Sequence, residues 1–388
     1  MGLAGGDMAK HFEPGEWERI NAALDEDPGR YGFPERAAGS VLLGSFNIRK
    51  LGDPDNRTDG DWKFLARVCA EFDLLGVQEI MSDLGGLDRL IDEMNQLVDG
   101  TDGGFAAAVS DETGAFAGDP GLRERLGFVY RWSAVERRRL ASDLTYDRTK
   151  TYRTLVENAE GLKQALDDCD GDSGEFRPPF FVTFARQPYV TAFRIPTSSG
   201  EPYDFLAVGA HLIFGDRIDD RRREFTALMD LIKSRLVADD SINLILMGDL
   251  NLDFDKPDSD RPRIDEEIKE LGAGAEGDGA FINFPFLDKH QGQEEVFRTN
   301  ARLNQTYDHI GLFAHDPRLP AYDKNEQMPL SGDGPDYGVF DFMELFSQAI
   351  YDKTWDDLEQ AERKALWKKS EHSVSDHLPL WLRLPLAT

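Results

Sequence analysis

The sequence predicts an α/β fold. Short apolar runs bounded by glycine and polar residues recur along the chain, as buried strands do. Segments with apolar residues three and four apart lie between them, the spacing of helices packed on one face. Residues 41–80 read strand, helix, strand, the unit that builds parallel pairs.

The elements follow in order. Residues 1–39 form an N-terminal extension, in which EPGEWERINAALDEDPGR is a short helix with proline and glycine at its ends. VLLGSFNIRKLG (41–52) opens as a buried strand. In DGDWKFLARVCAEF (59–72), Trp62, Leu65, Val68, Cys69 and Phe72 share one helical face, and an aspartate stands ready as N-cap. DLLGVQEI (73–80) is a second buried strand and LGGLDRLIDEMNQLV (84–98) a second such helix. Strands follow at RLGFVYRW (125–132), FFVTF and PYVTAFRI (180–195), and YDFLAVGAHLIF (203–214). A charged stretch leads into a helix at FTALMDLIKSRL (225–236). INLILMGDLNLD (242–253) is an apolar strand that stops in polar residues. TYDHIGLF (306–313) and SDHLPLWLRL (375–384) are the last strands. Residues 40–388 read as one domain with three insertions. The first, near 137–178, is charged and partly helical; the second, 254–300, is rich in Asp, Gly and Glu. The third, 314–373, holds the helix pair VFDFMELFSQAIY and WDDLEQAERKALWKK.

Composition bounds the function. The chain has 388 residues, 73 acidic against 44 basic, for a net charge of -29. A hydrophobic content of 40% supplies a core and excludes a disordered chain. No run approaches the roughly 18 apolar residues of a spanning helix. MGLAGGDMAKHFEPGEW lacks the apolar centre of a signal peptide, so a cytoplasmic protein is expected. Two cysteines, Cys69 and Cys169, make neither a disulfide framework nor a cysteine-rich zinc site. So acidic a surface repels phosphate and anionic membranes, and by itself argues against a nucleic-acid partner. An equal reading is that acidity with little lysine is the solvation habit of a high-salt or GC-rich host.

Side chains competent for metal or proton chemistry sit where strands stop. Asn47 follows strand 41–46, Glu79 follows 73–78, and His211 follows 203–210. Asp249 and Asn251 follow 242–248. Asp308 opens one late strand, and Asp376 and His377 open the last. Strand ends held by a rigid sheet are good places for a site. The oxygen donors Glu79, Asp376, Asp249, Asp308 and Asn251 suit Mg²⁺, which uses one or two carboxylates, waters and substrate phosphate. Zinc would ask for nitrogen or sulfur. A carboxylate beside an imidazole orients it and stabilises its cation, while asparagine and arginine donate to phosphate oxygens. Taken singly, each residue has a bland account as a turn or strand cap. Only the joint pattern points to a site.

FNIR (46–49), VQEI (77–80), GAHL (209–212), MGDLN (247–251), YDHI (307–310) and SDHLP (375–379) occur in this order. Together they resemble the endonuclease/exonuclease/phosphatase superfamily, and within it most of all the DNase I-like branch, over roughly residues 41–386. The resemblance implies a four-layer sandwich, two packed mixed β-sheets flanked by helices. It implies Glu79 as principal metal ligand, supported by Asn47, with Asp376 as a second ligand or water-orienting group. It implies Asp249 and Asn251 for water and phosphate, His377 with Asp308 as a catalytic pair, and His211 with Glu124 as a second. Arg186, in RQPY, is the better match to the family's phosphate-binding arginine; Arg177, in RPPF, is left as a loop residue. Arg49 matches a phosphate-contacting position. Met81 and Leu122 stand where DNase I has groove-binding residues, which departs from duplex binding. His309 is given no role.

The implied activity is Mg²⁺-dependent phosphodiester hydrolysis by a DNase I-like nuclease, an endonuclease on nucleic acid, with Mn²⁺ or Ca²⁺ as alternative ions. Local basic clusters at Arg137–Arg139 and Arg221–Arg223 would line a groove, or else pair with neighbouring aspartates as solvated faces. The alternative is a phosphoesterase on a small or lipid substrate of the inositol phosphate or sphingomyelin type, which the acidity favours. A lipid substrate would want an exposed aromatic hairpin, and FINFPF (281–286) reads instead as a core loop. Retention of the whole set argues against a binding protein without catalysis.

Overall fold

The fold is seen in a computed structural model. It describes residues 10–98, 103–113, 123–144, 148–168, 180–197, 200–215, 218–238, 242–252, 261–266, 281–287, 289–290, 295–316, 318, 336–384 and 386.

Two six-stranded mixed sheets pack face to face with helices outside, the four layers the resemblance implies. The first sheet holds β1 (Val41–Leu51), β2 (Leu74–Ile80), β3 (Phe105–Val109), β4 (Arg125–Arg131), β11 (Asp336–Val339) and β12 (Leu380–Leu384). Their order is β11-β12-β1-β2-β4-β3. The second holds β5 (Glu136–Asp143), β6 (Tyr189–Ile195), β7 (Tyr203–His211), β8 (Leu244–Asp249), β9 (Phe281–Asn283) and β10 (Asp308–Ala314), in the order β5-β6-β7-β8-β10-β9. Each sheet has one parallel pair, β1/β2 and β7/β8, and its other pairings are antiparallel. A parallel pair needs a crossover. Helix α2 (Asp59–Cys69) supplies the first and α6 (Ile218–Ala238) the second. Thr58 caps α2: its hydroxyl accepts from Asp61 N while the Asp61 carboxylate accepts from Thr58 N.

The unbroken apolar run of β8 has a direct cause. Ile245 and Met247 face the core between the sheets, while Leu244 and Leu246 face Phe225, Leu228 and Ile232 of α6. Alternate residues thus bury on both faces. Close approach is also written into the glycines. A Cβ on Gly248 would lie 2.0 Å from the Ala210 carbonyl oxygen, so β7 and β8 need glycine there. Gly76 in turn faces Met247 across the sheets.

The described part of residues 1–39 joins the same core. In α1 (Pro14–Glu26), Trp17, Ile20 and Leu24 are buried, and Trp17 lies 4.8 Å from the Phe64 ring. Helix α3 (Gly85–Leu97) covers the first sheet. The expected helix pair of the third insertion is present as α7 (Phe342–Tyr351) and α8 (Gln360–Ser373). Among the described residues no helix is long and apolar enough to cross a membrane.

Three expectations change. FFVTF is a loop, not a strand: Phe184 is buried and packs 4.9 Å from Phe181, so its apolar character comes from packing without a ladder. Residues 137–143, placed at the start of an insertion on their charge, belong to the edge strand β5, which pairs on one side with β6 and is exposed along nearly its whole length. An exposed edge carries no apolar alternation to read. The last strand starts only at Leu380, because residues 375–379 turn into the site instead. Helices α4 (Arg148–Glu157) and α5 (Ala159–Asp167) bear out the helical part of the first insertion.

Candidate active site

Strand direction builds the site. Parallel strands finish at one edge of a sheet, and their antiparallel neighbours start there. The ends of β2, β7 and β8 therefore carry Glu79, His211 and Asp249 to the same edge, and β1 carries Asn47. Glu124 and Asp308 arrive where β4 and β10 begin, and Asp376 and His377 precede β12. Asp249 is paired with His211 on one side and Asp308 on the other.

The backbone is bent to aim these groups. Lys50, Glu79 and Asn251 have φ of 50°, 59° and 52°, the left-handed region. Each such residue costs about 1–3 kcal/mol, a strain that clusters at functional sites. The β1/β2 register breaks between Asn47 and Leu51, and β2/β4 between Val77 and Ile80. These bulges turn the Glu79 carboxylate back, where it accepts from Lys50 N at 3.0 Å and Asn47 Nδ2 at 3.2 Å. Asn251 donates its N–H to Asp249 Oδ1 at 2.9 Å and its Nδ2 to Leu212 O at 2.9 Å.

Asp249 is the centre. It is buried, and its Oδ2 accepts from Asn47 Nδ2 at 3.3 Å. The Nε2 atoms of His211 and His377 both lie 3.6 Å from that same oxygen. Each imidazole is held from behind by its own carboxylate: His377 Nδ1 is 2.8 Å from Asp308 Oδ2, and His211 Nδ1 is 2.9 Å from Glu124 Oε2. Two histidine–carboxylate pairs thus converge on one aspartate.

The electrostatics follow. Burial opposes a charge on His377, but Asp308 and Asp249 overcome it and raise the pKa well above the ordinary value. Burial, with help from Asp249, pushes Asp308 up to about 6. At neutral pH the proton of this pair rests on His377. For His211, burial and Arg186 work against the cation, and Glu124 and Asp249 more than compensate, so its pKa is raised. Burial would lift Glu124, but His211 and Arg186 hold it below the usual carboxylate range.

The arginines differ in setting. Arg186 is buried, with Nε on Glu124 and NH1 on Leu212 O at 3.1 Å. It backs Glu124. Arg49 is part-exposed, paired with Glu371 at 2.6 Å and 3.6 Å from Asp376. The Arg221–Arg223 cluster is paired: Arg221 donates to Asn251 O, Arg222 lies 3.7 Å from Asp219, and Arg223 lies 3.0 Å from Asp220. Ile282, Phe284 and Phe286 are buried, so FINFPF belongs to the core as expected, but residues 281–283 form strand β9 paired with β10 and not a loop. His309 is buried too, and burial lowers it to about 4, a neutral structural histidine. Arg177, Leu122 and Cys169 lie outside the described residues.

The oxygen donors fit a hard divalent cation. Asn47 Oδ1 and Asp376 Oδ1 are buried and have no hydrogen-bond partner among the described residues, and Glu79 sits beside the first. Unsatisfied buried oxygens are costly unless something completes them. A second group, Asp249, Asp308 and His377, has donor atoms within 4.8 Å of one another.

Three supporting residues had no assigned role. Ser375 Oγ donates to Asn47 O at 2.6 Å and accepts from Arg49 N and His377 N. A serine just before Asp376-His377 is a signal for such a bond. Thr299 Oγ1 accepts from Tyr307 N and Asp308 N. Arg57, lowered to about 10 by burial, donates to Arg49 O and Val374 O. Nothing in the sequence marks either of the last two.

The chain is similar to DNase I-like proteins. It is 30% identical over 223 residues to a deoxyribonuclease of Thioalkalivibrio sp. (strain K90mix), covering 57% of this chain and 48% of that one. It is 23% identical over 220 residues to deoxyribonuclease-1 of Oryctolagus cuniculus, covering 56% and 63%. The chain thus spans about half to under two thirds of the length of these curated relatives. A solved endonuclease/exonuclease/phosphatase family protein of Bacteroides thetaiotaomicron superposes with a TM-score of 0.45 at 15% identity, over 90% of this chain and 98% of that one. No family model matches the chain.

Proposed function

We propose that the DNase I-like chain is a Mg²⁺-dependent phosphodiesterase, a nuclease that hydrolyses nucleic-acid phosphodiester bonds. The observation that carries this is the convergence of both imidazoles on Asp249 Oδ2 at 3.6 Å each. In this reading Asp249 and His377 hold the attacking water; His377 first releases its resting proton to bulk water, and its neutral imidazole then takes the proton of the attacking water. Asp308 stabilises the imidazolium that results. His211, whose cationic form Glu124 favours, donates to a nonbridging phosphate oxygen together with Asn251. Arg186 acts by holding Glu124, and Arg49 meets phosphate at the rim. Glu79, Asn47 and Asp376 would hold the cation, which would supply positive charge to offset the negative charge that builds up on the phosphate.

A second reading, hydrolysis of a small phosphate ester, is favoured by the net charge of -29 and by the pairing of the Arg221–Arg223 cluster. One assay separates the two. Supercoiled plasmid, single-stranded DNA and RNA are set against inositol phosphates and sphingomyelin in Mg²⁺ or Mn²⁺. Nicking that is lost with EDTA and with His377→Ala supports the nuclease. Turnover of the small esters alone would overturn it. Removing one such group typically costs about a hundredfold or more.

A further inference from the structure

Helix α8 runs straight into the candidate site. It ends at Ser373, and Asp376 and His377 follow within four residues. The loop 300–305 meets the same segment: Ala301 N donates to Asp376 O at 2.8 Å, and Asn300 bridges to His377. That loop is stiff. The Asn300 side chain accepts from Asn304 N and Gln305 N and donates to Asn304 Oδ1, and Leu303 takes a φ of 55°.

Cations line one face of this joint. Lys364 and Lys368 are one turn apart on α8 and both are exposed. Among the described residues neither has a carboxylate within ion-pair distance, in contrast with Lys369, which is clamped on Glu16 at 2.6 Å. Exposed Arg302 lies over the Trp367 ring, 4.3 Å from its centroid. Arg49 joins the strip at its inner end through Glu371 and reaches Asp376. His372 registers the accumulated charge: burial lowers its pKa first, and Arg49, Lys10 and Lys368 lower it further. At about 1.5 Å per residue, His372 to Lys364 extends the strip by about 12 Å from the site. An overall acidic chain has kept a cationic lane that points at its own candidate reaction centre.

We propose that Arg302, Lys364 and Lys368 form a track for the sugar-phosphate backbone, holding the nucleic-acid strand beyond the phosphate that is cut. This rests on the nuclease reading. The track touches no reacting atom, so it serves substrate binding and leaves the chemical step alone.

The test reverses the charges: Arg302→Glu, Lys364→Glu and Lys368→Glu, singly and together, in the full chain with Mg²⁺. Each variant is assayed on duplex and single-stranded DNA and on bis(p-nitrophenyl) phosphate, a diester too small to reach the track. The triple variant is expected to lose tenfold or more in kcat/KM on the polynucleotides, through KM, with the small diester unchanged within twofold. The slope of log affinity against log salt should flatten by about 2–3, near 0.9 for each phosphate contact removed. Unchanged polynucleotide rates and salt slope in the triple variant would overturn the track while leaving the nuclease intact. Equal losses on both substrates would overturn it too, since the substitutions would then act on the centre itself. A wild-type protein that turns over the small diester and no polynucleotide would instead defeat the nuclease reading, and the track with it.

Discussion

The Asn47 amide lies 3.3 Å from Asp249 Oδ2, although 202 positions separate the two residues in sequence. The same Nδ2 also reaches Glu79 at 3.2 Å. One amide therefore ties a carboxylate of the first sheet to a carboxylate of the second. Asn47→Ala is expected to leave these two carboxylates facing each other unbridged. The Mg²⁺ concentration for half-maximal turnover should rise about 10–100-fold, the usual cost of losing such support. A Mg²⁺ titration of activity checks it, and an unshifted midpoint would remove Asn47 from the ion's support.

His377 links pH to stability. Its folded pKa is raised, so folding tightens its grip on a proton. That contribution is complete below the unfolded value of about 6.5 and fades as pH climbs through the raised value. In EDTA, wild type should therefore exceed His377→Gln in stability at pH 6, and the gap should narrow toward pH 9. Urea unfolding at a series of pH values measures it. A gap that widens with pH contradicts the pairing with Asp308.

Arg186 separates two roles by their readouts. If it holds Glu124, Arg186→Met strands a buried carboxylate and costs about 3–5 kcal/mol. Turnover should fall with it while KM moves little. If it were mainly a phosphate contact, KM would rise and the urea midpoint would hold. Arg49→Met, at the part-exposed rim, should show the second pattern.

Asp341 caps α7, its carboxylate accepting from Met343 N and Glu344 N at 3.0 Å each. Burial lifts it from 3.8 to about 6. Between those values the folded state holds a proton that the unfolded state has released. Stability thus falls as pH rises through that window and stays lower above it. Asp341→Asn keeps a good cap without the charge. It should be more stable than wild type at pH 7 by about 1 kcal/mol, with the advantage gone near pH 4. Calorimetry at both pH values decides.

Much of the site was legible because strand ends punctuate sequence sharply. GDLN after LILM, and Asp376-His377 before an apolar run, mark where a ladder stops and polar side chains begin. The main elements were legible for the same reason: buried strands and one-sided helices leave a periodic trace. Thr299 and Arg57 left none, since each acts on backbone groups that only the fold brings near, and Arg186 was marked as a phosphate contact while its bond to Glu124 was not. The edge strand β5 was hidden because backbone pairing to β6 needs no apolar side chains. The cationic face of α8 was visible as lysines, but its bearing on the site depends on where the helix ends in space.

The two parallel pairs have one more consequence. Glu79 and Asn47 belong to one sheet, and His211, Asp249 and Asp308 to the other. Neither slab alone holds a working centre. Rate should then behave like a vernier on the seam between the slabs. A sideways slip of a fraction of an ångström, too small to alter helix content or overall shape, would still part His377 from Asp249 and Asp308, and Glu124 from His211.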